Sequence, residues 1–228
     1  MTSSITSMLV ITSKPVLMQR ILDYAGSGYS RFAQGTVASG KLERFANKMV
    51  LNYHVDADKH QRARRKQAGL GNAILLLYRA GVDHINWWLL VSPGDHPAAT
   101  AEKLLPIKNM MIFGFHLTHE TRRDKDKPVA TWSMTSDCYQ GWRNTVVGAV
   151  RSKNVYQMTV TLSELYRLPG FSGIRRRIGQ LAVLYRAEVM RHGLSNVAPP
   201  TPKRLGYVRR LKTTGLTIRQ VVTNTKVA

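Results

Sequence analysis

Two histidines border the densest run of cations in the chain, and this pairing is where chemistry is first expected. His54 stands five residues before the run Lys59-His60-Gln61-Arg62-Ala63-Arg64-Arg65-Lys66, which holds five cations in eight residues and includes the second histidine, His60. Cleaving an RNA phosphodiester without a metal needs a base for the ribose 2′-OH, a cation for the phosphorane and an acid for the leaving 5′-oxygen. Histidine titrates near pH 6.5 and suits either proton role. Arginine carries a permanent charge on a fork that matches phosphate geometry. These residue types make His54 and His60 the candidate catalytic pair, with Arg62, Arg64, Arg65 and Lys66 as the phosphate-holding group. For each histidine the competing reading is an ordinary solvated polar side chain.

Other chemistries find less support. Gly69-Leu70-Gly71 runs on into Asn72, Ala73 and Ile74, so it is not a dinucleotide fingerprint, and no P-loop pattern occurs. It reads as a turn before a strand, although glycines beside cations also let backbone amides approach a phosphate. His116 and His119 fall in an expected strand, where residues three apart point to opposite faces, and Cys138 is the only cysteine. No metal site is expected from them. Asp56-x-Asp58 is a close acidic pair before a cation, short of the carboxylate cluster of a two-metal nuclease. One cysteine also excludes a disulfide framework, so a reducing cytosol is the expected setting. No cofactor is expected.

The charge balance names the partner class. The 228 residues carry 34 Lys+Arg against 13 Asp+Glu, a net +21 with a pI near 10.7. Divided after Asp137, the first part holds 18 cations and 11 acids, and the last 91 residues hold 16 cations against Glu164 and Glu188 alone. Excess this one-sided calls for a polyanion, with phosphate backbones first and anionic lipid second. Besides the run at 59–66, cations cluster at Arg175-Arg176-Arg177 and in the tail at Lys203, Arg204, Arg209, Arg210, Lys212, Arg219 and Lys226. Tyr29 and Phe32 beside Arg31 form an aromatic–basic patch suited to stacking splayed bases. Nucleic acid is the expected partner, RNA ahead of DNA, with protein subunits of a ribonucleoprotein as further partners.

No membrane partner is expected. The longest apolar run, Ala73 to Tyr78, is far short of the roughly 18–20 residues of a spanning helix. The first twenty residues lack the basic start of a secretory signal.

The elements that must carry these groups can be read from periodicity. Ser7–Thr12 reads as a strand, and Lys41–His54 as a helix with Leu42, Phe45, Ala46, Met49 and Val50 on one face and Ser39 as its cap. Ala73–Tyr78 and Ile85–Val91 form one expected hairpin, and Met110–His119 with Val129–Met134 a second. Trp87 and Trp88 then point to opposite faces, one into the core and the other under a helix or towards a groove. Ala98–Leu105 reads as a short helix, and Val155–Arg167 fits either helix or strand. A helix capped by Thr135 or Ser136 carries Tyr139, Trp142, Val146 and Val150 as a stripe. Another, capped by Ser172, turns Ile174, Ile178, Leu181, Tyr185 and Val189 inward and Arg175, Arg176 and Arg186 outward. Leu205–Val222 has room for one or two edge strands. The expected fold is α+β, a largely antiparallel sheet followed by a helical, basic C-terminal part. Residues 1–135 form the sheet domain and residues 136–228 the helical region with its tail.

This make-up, together with the glycine-containing loop Leu168-Pro169-Gly170-Phe171-Ser172-Gly173, resembles the repeat-RNA-processing (RAMP-like) endoribonucleases of plasmid-borne type IV CRISPR systems. Arg64 to Gly71 and Thr131 to Met134 are similar in character to proteins carried on proteobacterial plasmids. The resemblance implies an RNA-binding protein of a bacterial mobile element that stays bound to a structured repeat RNA in a ribonucleoprotein, with or without processing it; if it is an enzyme, the expectation is a metal-independent endoribonuclease. It is one of overall character and transfers no catalytic residue. The alternative class is a non-enzymatic DNA-binding protein for plasmid replication or mobilisation, with an arginine-bearing helix in the major groove.

Overall fold

The computed structural model describes residues 5, 8–81, 83–121 and 128–226. Residues 122–127, between the strands of the second expected hairpin, lie outside them, as does the side chain of Lys226. The chain is α+β, with mostly antiparallel sheet. It divides into two compact units, one made of Met1–Met110 and Leu211–Ala228, the other of Met111–Arg210.

The first unit is built on a six-stranded sheet. In chain order its strands are β1 (Leu9–Ile11), β2 (Arg31–Ala38), β3 (Ala73–Arg79), β4 (His84–Val91), β5 (Leu105–Pro106) and, returning from the tail, β9 (Gly215–Thr217). They lie in the order β5-β2-β4-β3-β1-β9, all antiparallel except β1 beside β3. The hairpin of β3 and β4 supplies its centre, as continuous apolar runs buried on both faces predict.

Helix α1 (Lys14–Gly26) buries Val16, Leu17, Met18 and Ile21. Helix α2 (Leu42–Tyr53) buries Leu42, Ala46, Met49 and Tyr53, the period foreseen in its sequence. Its cap differs from the expectation: Ser39 is buried in a 3₁₀ turn that precedes the helix, and no side chain caps α2. Trp88 is buried, and Trp87 packs under Phe45 of α2 at 5.3 Å between rings. Gly35 stands opposite Trp87 in the register, and a Cβ there would come within 2.8 Å of the indole. The α4 helix covers only Ala98–Ala101, because Leu105 and Pro106 pair with β2 instead.

The second unit joins a three-stranded sheet, β6 (Met111–Ile112), β7 (Phe115–Glu120) and β8 (Val129–Met134), to three helices. Helix α5 (Ser136–Arg151) is capped by Thr135, whose hydroxyl accepts from the Cys138 N–H. Helix α6 (Val155–Tyr166) resolves the ambiguous stretch, with Asn154 capping the Gln157 N–H. Helix α7 (Ser172–Arg191) buries all five stripe residues from Ile174 to Val189. Phe171, not Ser172, is its cap residue, because the Ser172 hydroxyl is used to donate to Thr131 Oγ1 of β8 at 2.9 Å. Gly173 allows that approach: a Cβ on it would lie 2.6 Å from the Trp132 carbonyl oxygen.

Because β8 packs on α7 and carries its partner strand β7 with it, the division into units does not fall at residue 135. It falls at residue 110, ahead of that hairpin, and the chain re-enters the first unit at Leu211. There Leu211 is clamped to α1, its N–H donating to Gln19 Oε1 and its carbonyl accepting from Arg20 Nη2, both at 2.9 Å. Helix α8 (Ile218–Lys226) then buries Ile218 and Val221 in the core with α2. This return evens out the charge: the first unit holds 17 Lys+Arg against 7 Asp+Glu (+10), the second 17 against 6 (+11).

Candidate nucleic-acid interface

The basic run folds as helix α3 (Lys59–Gln67), which has no buried residue. Nine residues are too few to form a stable helix by propensity alone. Its ends are held instead. Asp58 and Gln61 form a capping box, the carboxylate accepting from the Gln61 N–H and the Gln61 amide oxygen from the Asp58 N–H, both at 2.8 Å. The Gln61 amide proton also holds the Asp58 carboxyl below its usual range, with His60 and Arg64 acting in the same direction. In the last turn Arg64, Arg65 and Lys66 meet the negative end of the helix dipole.

Two of the arginines are committed to backbone. Arg62 Nη1 donates to the Ala57 carbonyl at 2.7 Å, and Asn72 Nδ2 in turn donates to the Arg62 carbonyl at 3.1 Å. Arg65 forks onto the Gly71 carbonyl through Nε at 3.2 Å and Nη2 at 3.0 Å. The glycine pair therefore belongs to a seat for the helix. Gly71 N–H donates to the Asp95 carbonyl, and Asn72 and Ser92 exchange two further bonds. Gly94, at φ +115°, lies so close that a Cβ would be 2.6 Å from both Gly69 O and Gly71 N.

His96 sits beneath this junction, 2% exposed, its Nδ1 accepting from the Ala98 N–H. Burial lowers its pKa from the usual value. Nearby, the Tyr53 hydroxyl donates to Glu102 Oε1 at 2.7 Å and is pushed up to about 12, chiefly by burial.

What remains open is a groove of about 540 Å³ lined by His54, Asp56, Ala57, Gln61, Arg64 and Arg65. His54 ends α2 in the left-handed region (φ 51°, ψ 41°) and is exposed. The structure thus brings His54 together with Arg64 and Arg65. His60, near the exposed start of α3, is not among the lining residues. Lys66 is exposed on the same helix, and among the described residues neither Arg64 nor Lys66 is ion-paired. The aromatic patch at Tyr29 and Phe32 does not survive: the two are 7% and 1% exposed, with Tyr29 edge-on to Tyr24, so no base can stack on them.

In the second unit the three consecutive arginines of α7 separate in role. Arg176, expected to face outward freely, is bound by Glu120 Oε1 at 2.6 Å. Arg177 lies over the Tyr139 ring at 4.9 Å and donates to Gln180. Arg175 lies over the Tyr207 ring at 3.4 Å. Along the tail, Lys203, Arg204, Arg209 and Arg210 of this unit are exposed, as is Lys212 of the first. A groove of about 770 Å³ opens between α7 and the tail segment 202–207, with Arg175, Arg186, Lys203, Arg204 and Tyr207 on its walls. A smaller one of about 400 Å³ gathers Arg143, Arg151 and Arg191 around Glu188. There the charge is already answered, since the buried Glu188 carboxylate accepts from Arg191 and pairs with Arg151 at 4.0 Å.

Tyr207 and Arg186 were not singled out as site residues by the sequence. Tyr207 alone carried a signal, as an aromatic set among the cations of Lys203 to Arg210. Comparison of the chain with protein-family models, curated proteins and solved structures finds no match.

Proposed function

We propose that the chain binds RNA, holding its phosphates from a basic groove in each unit. The observation that carries this reading is helix α3: nine residues with none buried, capped and tied to backbone at both ends, and presenting Arg64 and Lys66 without a carboxylate partner among the described residues. A helix with no apolar face contributes little to the core, so the bonds that hold it in place serve what it presents. The +10 and +11 balances of the units supply the long-range attraction. The resemblance to type IV CRISPR repeat-processing endoribonucleases makes a structured repeat RNA of a mobile element, kept in a ribonucleoprotein in the cytoplasm, the substrate to try first. Duplex DNA for plasmid replication is the alternative. The commitment of Arg176 to Glu120 weighs against a freely presented recognition helix.

A filter-binding titration of salt against a hairpin RNA, with duplex DNA as competitor, tests the reading. Neutralising about seven phosphates gives a log–log slope near −5 to −6. Arg64→Ala with Lys66→Ala makes it shallower by about 1.5. A wild-type slope shallower than about −2, or preference for the DNA, overturns it.

Cleavage is a second reading, favoured by His54 standing in the groove beside Arg64 and Arg65. The imidazole would take the 2′-OH proton as that oxygen attacks phosphorus, the guanidinium of Arg64 would meet the phosphorane charge, and the P–O5′ bond would break with the leaving oxygen protonated by water. Labelled RNA incubated with EDTA is cut by the wild type and spared by His54→Ala if this holds. Cleavage that persists in the variant discards the role.

A further inference from the structure

We propose that the groove between α7 and segment 202–207 seats an unpaired nucleotide of the RNA, its base stacked on the Tyr207 ring and its phosphates met by Arg186, Lys203 and Arg204. The proposal deepens the RNA-binding reading and rests on it. Tyr207 is 75% exposed although Arg175 covers one of its faces, so the opposite face is open to solvent. A guanidinium on one side of a ring leaves a flat, polarised platform on the other, and every base has a π face to set against it. Duplex RNA hides those faces in its own stack; an unpaired base offers one.

The walls suit the rest of the nucleotide. Among the described residues no carboxylate pairs with Arg175, Arg186, Lys203 or Arg204, and no carboxylate lines the groove. A volume of about 770 Å³ lies inside the range typical of small-ligand sites, roughly 300–1,000 Å³.

The strap that closes the groove is anchored rather than loose. Tyr185 donates to the Pro199 carbonyl at 2.9 Å, Arg186 to Thr201 Oγ1 at 3.0 Å, and the Val208 N–H to the Gly170 carbonyl at 3.2 Å. Gly170 and Gly206 meet so closely that a Cβ on Gly170 would strike the Gly206 carbonyl.

The groove floor points the same way. Gly179 lies inside α7, where glycine weakens a helix relative to alanine, yet no atom lies within 4 Å of a Cβ built there. Packing does not require this glycine. It is one of the lining residues, so a side chain there would rise into the space the nucleotide takes.

Fluorescence anisotropy at fixed salt, with an unstructured twelve-nucleotide RNA and a blunt RNA duplex as probes, tests the site in the full chain. Tyr207→Ala weakens the single-stranded probe about tenfold, with less than a twofold change on the duplex, and Tyr207→Phe restores the affinity. Gly179→Leu lowers single-strand affinity in the same selective way and reports independently of the ring. Equal loss on both probes, no loss in Tyr207→Ala, or failure of Tyr207→Phe to recover overturns the site while leaving general RNA binding standing. A wild type that binds neither probe overturns both.

Discussion

Replacing Gly94 by alanine probes whether the seat beneath α3 depends on close backbone contact. Two penalties combine at this position. A non-glycine residue in the left-handed half of φ space costs about 1–2 kcal/mol, and Gly94 holds φ +115°. The added methyl would also lie 2.6 Å from Gly69 O and from Gly71 N, which are backbone atoms and cannot swing aside. Relieving such overlap costs a further 1–3 kcal/mol, about 2–5 kcal/mol in all. Gly28 is the matched control: it has φ +98° but nothing within 4 Å of its Cβ, so Gly28→Ala carries the first penalty without the second. Urea unfolding followed by far-UV circular dichroism measures both. With a slope of about 2 kcal/mol/M, Gly94→Ala lowers the midpoint by about 1–2.5 M and Gly28→Ala by about 0.5–1 M. The Gly94 variant also loses RNA affinity, because moving residues 69–71 takes the Gly71 carbonyl away from the Arg65 fork. If the two variants lose the same stability, the close approach of the loops is not what holds this junction.

Two further outcomes follow from the same region. Arg65 and Arg64 are neighbours with separate duties: Arg65→Ala lowers the unfolding free energy by about 1.5 kcal/mol through loss of its charged hydrogen bonds, whereas Arg64→Ala stays within about 0.5 kcal/mol and weakens RNA binding instead. Urea unfolding and filter binding on both variants separate the two effects, and a reversed pattern refutes the division. His96 makes stability sensitive to acid. Its folded pKa is lowered by burial, and protonating Nδ1 would break the bond from the Ala98 N–H. The unfolded chain takes up that proton near pH 6.5, so this contribution is complete above pH 6.5 and is lost as pH falls towards the folded value, by at most about 1.4 kcal/mol per pH unit. His96→Gln flattens this limb between pH 7.5 and 5.0; an unchanged limb assigns it to other groups.

Local spacing settled the main helices and the central hairpin of this protein. The stripe from Ile174 to Val189, the helix ending at Tyr53 and the Ala73–Val91 hairpin were legible because amphipathic period and continuous apolar runs are properties of neighbours within two turns of chain. The net charge follows from composition alone, since no folding can remove it, and the expectation of a polyanionic partner rests on it. The fate of each cation is different. Whether Arg176 is free depends on Glu120, 56 positions away, and whether Arg65 can reach a phosphate depends on a carbonyl in a loop that only the Gly94 turn brings near. Tyr29 and Phe32 read as a stacking surface beside Arg31 until the sheet buried them, and Tyr207 met Arg175 only when the tail laid it against α7. A side chain's charge is intrinsic, but its availability is decided by contacts between distant segments. The amino-acid order alone therefore marks this chain as strongly basic, and tertiary closure decides which arginines are tied to carboxylates and backbone carbonyls.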